Sequence, residues 1–187
     1  MARIGILIPL RYRESNDPKS AIDPREADIK ENIRHAEKFG AVYWDINILT
    51  GLCKESVRRE RGITLPTCCF FYDANPNSRT YQKVTHKAEI TEVYCLEKLK
   101  RKLENNPDEW KFIPKWRYQC IKGEWTNEND WVVRVHPEWI GKYHKPSQVW
   151  IKLINFEELN PPLEIRNFRK WNGRQLKGVR GAYIKCL

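Results

Sequence analysis

The run Thr67-Cys68-Cys69-Phe70-Phe71-Tyr72 constrains this chain more than any other stretch. A strand with one face in water alternates apolar and polar residues. An uncharged run this apolar needs cover on both faces, which makes it the central strand of a sheet. Asp73-Ala74-Asn75-Pro76-Asn77-Ser78 is a turn cluster. Beyond it, Val84 to Val93 alternates, with Val84, His86, Ala88 and Ile90 set against Thr85, Lys87, Glu89 and Thr91, and pairs with the strand before it.

Other elements follow from the same periods. Ile4–Leu10 reads as a buried first strand, and a polar loop runs from Arg11 to Ile22. Asp23 as cap, Pro24 at the first helical position and Glu26 predict a helix start. Ile29, Ile33 and Ala36 continue at helical spacing to a stop at Gly40. Residues 41–46 are β-prone, Lys54 to Arg61 forms one or two helical turns or a loop, and residues 94–104 carry a helical pattern through Leu96, Leu99 and Leu103. Val149 to Asn155 is a strand closed by Phe156 to Pro162. Ile165 to Trp171 reads as a short helix and residues 178–187 as the closing strand. The expected architecture is mixed α/β (α+β), with about six strands and flanking helices in a single domain over 1–187. An insertion spans about 96–146. Its part from Asn105 to Lys145, with Trp110, Trp116, Trp125, Trp131 and Trp139, reads as extra strands or a subdomain packed on the core.

Composition narrows the function classes. The 8 Trp, 8 Tyr and 6 Phe exclude wholesale disorder. No apolar run approaches the ~20 residues of a membrane span, and the N-terminal run reads as a strand, not a signal peptide. A soluble, cytoplasmic protein is expected. The six Cys and four His lack the paired spacing of a zinc site; the Cys read as buried reduced thiols, and no metal or cofactor is expected. Formal charge is +10. Residues 142–187 hold ten Lys/Arg against three Glu, a local +7, and further clusters are Arg58, Arg59 and Arg61, and Arg11 with Arg13. Basic clusters interleaved with aromatics are the footprint of a nucleic-acid binder.

Enzyme readings fail on spacing. Asp108, Glu109 and Lys111 are the pieces of a nuclease site, but adjacent carboxylates point apart where a metal needs them to converge. The zinc-deaminase signature is absent, and so is a phosphate loop for a nucleotide-driven motor. A binder of sequence-independent type needs only cations. An aromatic wall also allows one extruded base to be tested, since base stacking contributes ~1–3 kcal/mol. Trp44, where a helix gives way to a strand between Tyr43 and Asp45, is the best candidate wall.

The order of motifs resembles the YTH domain and, more broadly, the EVE, ASCH and PUA-like family of modified-base readers. The residues that carry the resemblance are Ile4–Leu10, Lys38-Phe39-Gly40-Ala41-Val42-Tyr43-Trp44-Asp45, Cys69-Phe70-Phe71-Tyr72, Val149 to Leu159, and Asn172-Gly173 through Ile184. They cover roughly residues 3–95 and 147–187. The resemblance implies a PUA-like, YTH-like mixed β-barrel. It makes Trp44 the first cage wall and Asp45 the neighbour that contacts the methylated amine. The second cage aromatic falls near Leu153, with Trp150 three residues away, and Tyr72, Trp131 or Tyr143 would supply the missing wall. The loop Arg11 to Asn16 would meet the base edge, and Arg11, Arg13, Lys170, Arg174, Lys177 and Arg180 would hold phosphates. It further implies a non-catalytic reader, first of N6-methyladenine in DNA. Such modules serve as the N-terminal specificity domain of McrB-type restriction enzymes, with a separate AAA+ motor and nuclease subunit. Alternatives are a PUA-like RNA-binding module and a protein-interaction domain docking through residues 105–145.

Overall fold

A computed structural model describes residues 4–10, 29–46, 49–118, 121, 149–176 and 181–186. Six strands form one sheet: β1 (Ile4–Leu10), β2 (Val42–Ile46), β3 (Thr67–Asp73), β4 (Lys83–Cys95), β5 (Val149–Glu164) and β6 (Ala182–Lys185). Their order is β2-β5-β4-β3-β1-β6. The β1–β3 pair is parallel and the others are antiparallel. The sheet curls into a half-barrel with helices α1 (Ile29–Phe39), α2 (Glu55–Glu60) and α3 (Leu96–Asn105) around it. This is the mixed α+β, PUA-like architecture expected. The predicted helix start at Asp23–Glu26 lies outside the described residues.

Strand periodicity sorts the core by face. Ile4, Ile6, Ile8 and Leu10 of β1, Cys69 and Phe71 of β3, Val42, Trp44 and Ile46 of β2, and Val149, Ile151 and Leu153 of β5 share the concave interior with Ile29 and Ala36 of α1. Their neighbours in sequence face outward. Tyr43 and Trp150 pack with Leu96, Leu99 and Leu103 of α3. Leu7, Phe70, Tyr72 and Ile184 pack with Phe168 and Leu176. Burial on both faces is what the uncharged run at 67–72 demanded.

Four expectations are corrected. Strand β5 does not stop at Asn155 but continues through Phe156–Glu164. Strand β2 lies beside it at Val149–Leu153, and past that point the ladder runs to β4, so Pro161 and Pro162 remove no donor that β2 needs. Residues 106–118 form short 3-10 turns instead of strands, and Ile165–Trp171 holds one 3-10 turn followed by bridges from Arg169 to Gln175 and from Lys170 to Ile184. Finally, Cys68 and Cys186 are not free thiols but are joined in a disulfide. The bridge crosses β1 at Gly5, where a Cβ would lie 2.2 Å from the Cys68 sulfur and 2.9 Å from that of Cys186. Glycine is the residue that lets it pass.

Candidate base-binding site

Helix α1 ends at Gly40, whose positive φ of 89° and N–H bond to the Ala36 carbonyl turn the chain straight into β2. Trp44 therefore enters the barrel two residues into that strand, on the inward face. Its ring centroid lies 5.1 Å from that of Phe71, which in turn lies 6.0 Å from Phe156. The guanidinium of Arg117 sits 4.8 Å from the Trp44 ring centre. Arg117 is fully buried. Its Nε donates to Asp45 Oδ1 at 3.0 Å, and its Nη1 donates to the Asn32 side-chain oxygen and to the Tyr43 carbonyl. Strand β2 ends the sheet order, so Arg117 ties that edge to α1 while covering the indole.

The structure distributes the residues of the cage drawn from sequence over three clusters. Trp44 is 7% exposed, and a base cannot stack on it while Arg117 and Phe71 occupy its surroundings. Asp45 is engaged by Arg117. Leu153 does share the interior with Trp44. Tyr43 and Trp150 do not: they lie against α3 on the opposite face. Tyr72 also faces outward, beside Phe70 and Phe168. The reason is the two-residue period of a strand, which sends adjacent residues to opposite faces. Trp131 lies outside the described residues.

What the interior does offer is a cavity at its mouth. It measures about 210 Å³ and is bounded by Leu10, Ile29, Leu159 and Pro162 on its apolar sides, with Lys30, Asp73, Thr80, Thr85, His86 and Glu158 supplying polar groups. The sheet register explains the convergence. Phe71 pairs with His86, and His86 pairs with Glu158, so the aromatic interior continues into this wall. Asp73, at the end of β3, holds the turn in place: its Oδ1 accepts from the Asn75 N–H at 2.8 Å and its Oδ2 from the Thr80 hydroxyl at 2.6 Å. His86 is buried, with Nδ1 2.9 Å from the Thr85 hydroxyl. Burial lowers its pKa below the usual histidine value, Glu158 opposes the shift and Lys30 adds to it. The ring is therefore neutral at pH 7, presenting one donor and one acceptor. His86 and Glu158 are cavity-lining residues that motif reading missed.

The nuclease-like residues have another role. Glu109 accepts from the Tyr43 hydroxyl at 2.9 Å and from Lys152 at 3.2 Å, and lies 3.3 Å from Lys102. Glu92 also bonds Lys102 and Lys152. Burial opposes ionisation at both carboxyls, yet these hydrogen bonds outweigh it and hold them below the ordinary glutamate value. The network fastens α3 and the turn at Pro107–Phe112 to β2, β4 and β5. Among the described residues no group of His, Cys, Asp or Glu is arranged to hold a metal, and no helix is long and apolar enough to cross a membrane.

Of the phosphate candidates, Lys170 and Arg174 stand on a tight turn. The Lys170 N–H bonds the Arg174 carbonyl, and Gly173, with φ of 81°, returns its N–H to Lys170. Lys170 bridges to Ile184, which pairs with Gly5, whereas the cavity lies at Leu10. Five residues of strand offset the two by about 17 Å along the strand direction. Arg11, Arg13, Lys177 and Arg180 lie outside the described residues. No family model matches the chain, and no curated protein matches it.

Proposed function

We propose that this domain is a non-catalytic nucleic-acid reader that extrudes one base and tests it in the cavity at the mouth of the half-barrel, with N6-methyladenine in DNA as first choice. One observation carries the reading: Leu10 and Ile29 of the interior border a cavity of about 210 Å³ whose other walls are Leu159 and Pro162, with hydrogen-bonding groups on its rim. That is below the ~300 Å³ at which sites for drug-sized ligands begin, and suits one ring system better than a whole nucleotide. Flipping a base costs a few kcal/mol, which contacts with Leu10, Ile29, Leu159 and Pro162 help to offset. The net charge of +10 favours a polyanion. Lys170 and Arg174, toward the other end of β1, would meet phosphates several steps along the duplex from the flipped base.

In this reading the chain is the specificity module of a modification-dependent restriction system, with a separate AAA+ motor and nuclease subunit as partners. A cytoplasmic setting belongs to the reading. The Cys68–Cys186 bridge argues the other way, because thiols there are kept reduced; alkylation of the protein straight from cells, without reductant, decides between the two. The function is tested by fluorescence anisotropy at fixed salt with matched DNA duplexes carrying one N6-methyladenine, one 5-methylcytosine or no mark, and with RNA of the same sequence. Preference for a marked duplex supports the reader. Stronger binding to unmarked RNA points to an RNA-binding module, and no binding to any of them at low salt overturns the reading.

A further inference from the structure

We infer that the mouth cavity selects bases whose Watson–Crick edge sets an amine beside an unprotonated ring nitrogen, as adenine and cytosine do, with the Glu158 carboxylate reading the amine and His86 donating to the ring nitrogen. This rests on the base-reader proposal and names the class of base. Glu158 and His86 face each other across the β4–β5 ladder and both line the cavity. A carboxylate only accepts hydrogen bonds, whereas a neutral imidazole both donates and accepts. Asp73, the other carboxylate on the rim, has both oxygens engaged by Asn75 and Thr80, so it shapes the wall and leaves the reading to Glu158.

Adenine and cytosine present an amine donor where guanine and thymine present a carbonyl oxygen. Opposite Glu158 the amine forms a charge-assisted hydrogen bond, while the carbonyl of thymine sets acceptor against acceptor; guanine brings its C2 amine to Glu158 only by setting its ring N–H against the His86 N–H. The ring nitrogen beside the amine accepts from the His86 N–H. A single N6-methyl group leaves one N–H on the amine and keeps the bond; a second methyl abolishes it. The apolar residues Leu10, Ile29, Leu159 and Pro162 supply walls for the methyl group.

The test is anisotropy with the whole chain and a duplex series in which one position, opposite an abasic site, holds N6-methyladenine, N6,N6-dimethyladenine, adenine, cytosine, guanine, thymine or a second abasic site. Pairing then cannot bias extrusion. Adenine, N6-methyladenine and cytosine should bind about 5- to 150-fold more tightly than guanine and thymine, with dimethyladenine in the weak group. Glu158→Gln, at an exposed position, should shrink that gap severalfold because its amide also donates, and should leave urea unfolding unchanged. Guanine and thymine held as well as adenine and cytosine, or an unchanged gap in Glu158→Gln, would overturn the amine assignment. If methyladenine still exceeds adenine in that case, the reader survives and only the assignment falls. If all seven duplexes bind alike, both fall.

Discussion

Replacing Arg117 by Met should be among the most damaging single changes in this protein. The side chain has no exposure and its partner Asp45 only 6%, so the substitution leaves a buried carboxylate without its guanidinium. Breaking a buried ion pair from one side costs ~3–5 kcal/mol, out of a total stability of ~5–15 kcal/mol. For a chain of this length each kcal/mol moves Tm by ~2–4 °C, which predicts a drop of about 6–20 °C. Removing both charges, in Arg117→Met with Asp45→Asn, should restore most of the loss, because a well-packed apolar replacement of a buried pair is often close to neutral. Urea unfolding followed by far-UV circular dichroism at pH 7 measures both variants. A single variant within ~1 kcal/mol of the parent, or a double variant as damaged as the single, would mean that the pair does not secure the β2 edge. Truncation to Arg117→Ala, by contrast, uncovers Trp44. If the base stacked there, mark preference should rise below its melting temperature; with the base in the mouth cavity, preference stays as it was.

Gly5→Ala should destabilise by ~1–3 kcal/mol or more, since the new Cβ meets the Cys68 sulfur at 2.2 Å and its carbonyl oxygen at 2.3 Å; a neutral result in thermal unfolding would mean the bridge does not cross there. Glu92 and Glu109 are held below the ordinary glutamate value, so folding favours their ionised forms. Their contribution is present above about pH 4.3 and fades as pH falls through the lower folded-state values. Glu92→Gln should therefore flatten the acid limb of a stability-against-pH curve, and an unchanged limb counts against the network. Reversing charge at Lys170 and Arg174 should weaken marked and unmarked duplexes alike and reduce the salt slope by ~1 for each phosphate no longer neutralised; weakening confined to marked duplex would place these residues at the base instead.

The strands were legible in the sequence where the pattern was absolute. The uncharged 67–72 run and the alternation at 84–93 became β3 and β4, because burial of a whole face leaves little choice of register. Which face turned inward was not legible. The two-residue period says that Trp44 and Tyr43 part company, but their surroundings depend on which strands lie alongside and how the sheet curls. The cover on Trp44 comes from Arg117, 72 residues from its partner Asp45, and no local pattern announces such an approach. The cavity was hidden for the same reason. Asp73 looked like a turn residue, His86 like one member of an alternating strand, and Glu158 like part of a strand's end. They meet through the β3–β4–β5 register. The prolines at 161 and 162 misled because their cost depends on whether a neighbouring strand needs the missing donor.

Whether one base lodges in the mouth of the barrel is decided by filling that space. Leu159 lines the cavity and is half-buried, so Leu159→Trp occupies it without opening the core. Affinities of the parent and this variant for methyladenine-marked and unmarked duplexes, measured at one salt concentration, give the preference ratio for each. With the base seated in the mouth, the ratio collapses in the variant while binding to unmarked duplex persists. A folded Leu159→Trp protein that keeps the parent's ratio would show that the base goes elsewhere.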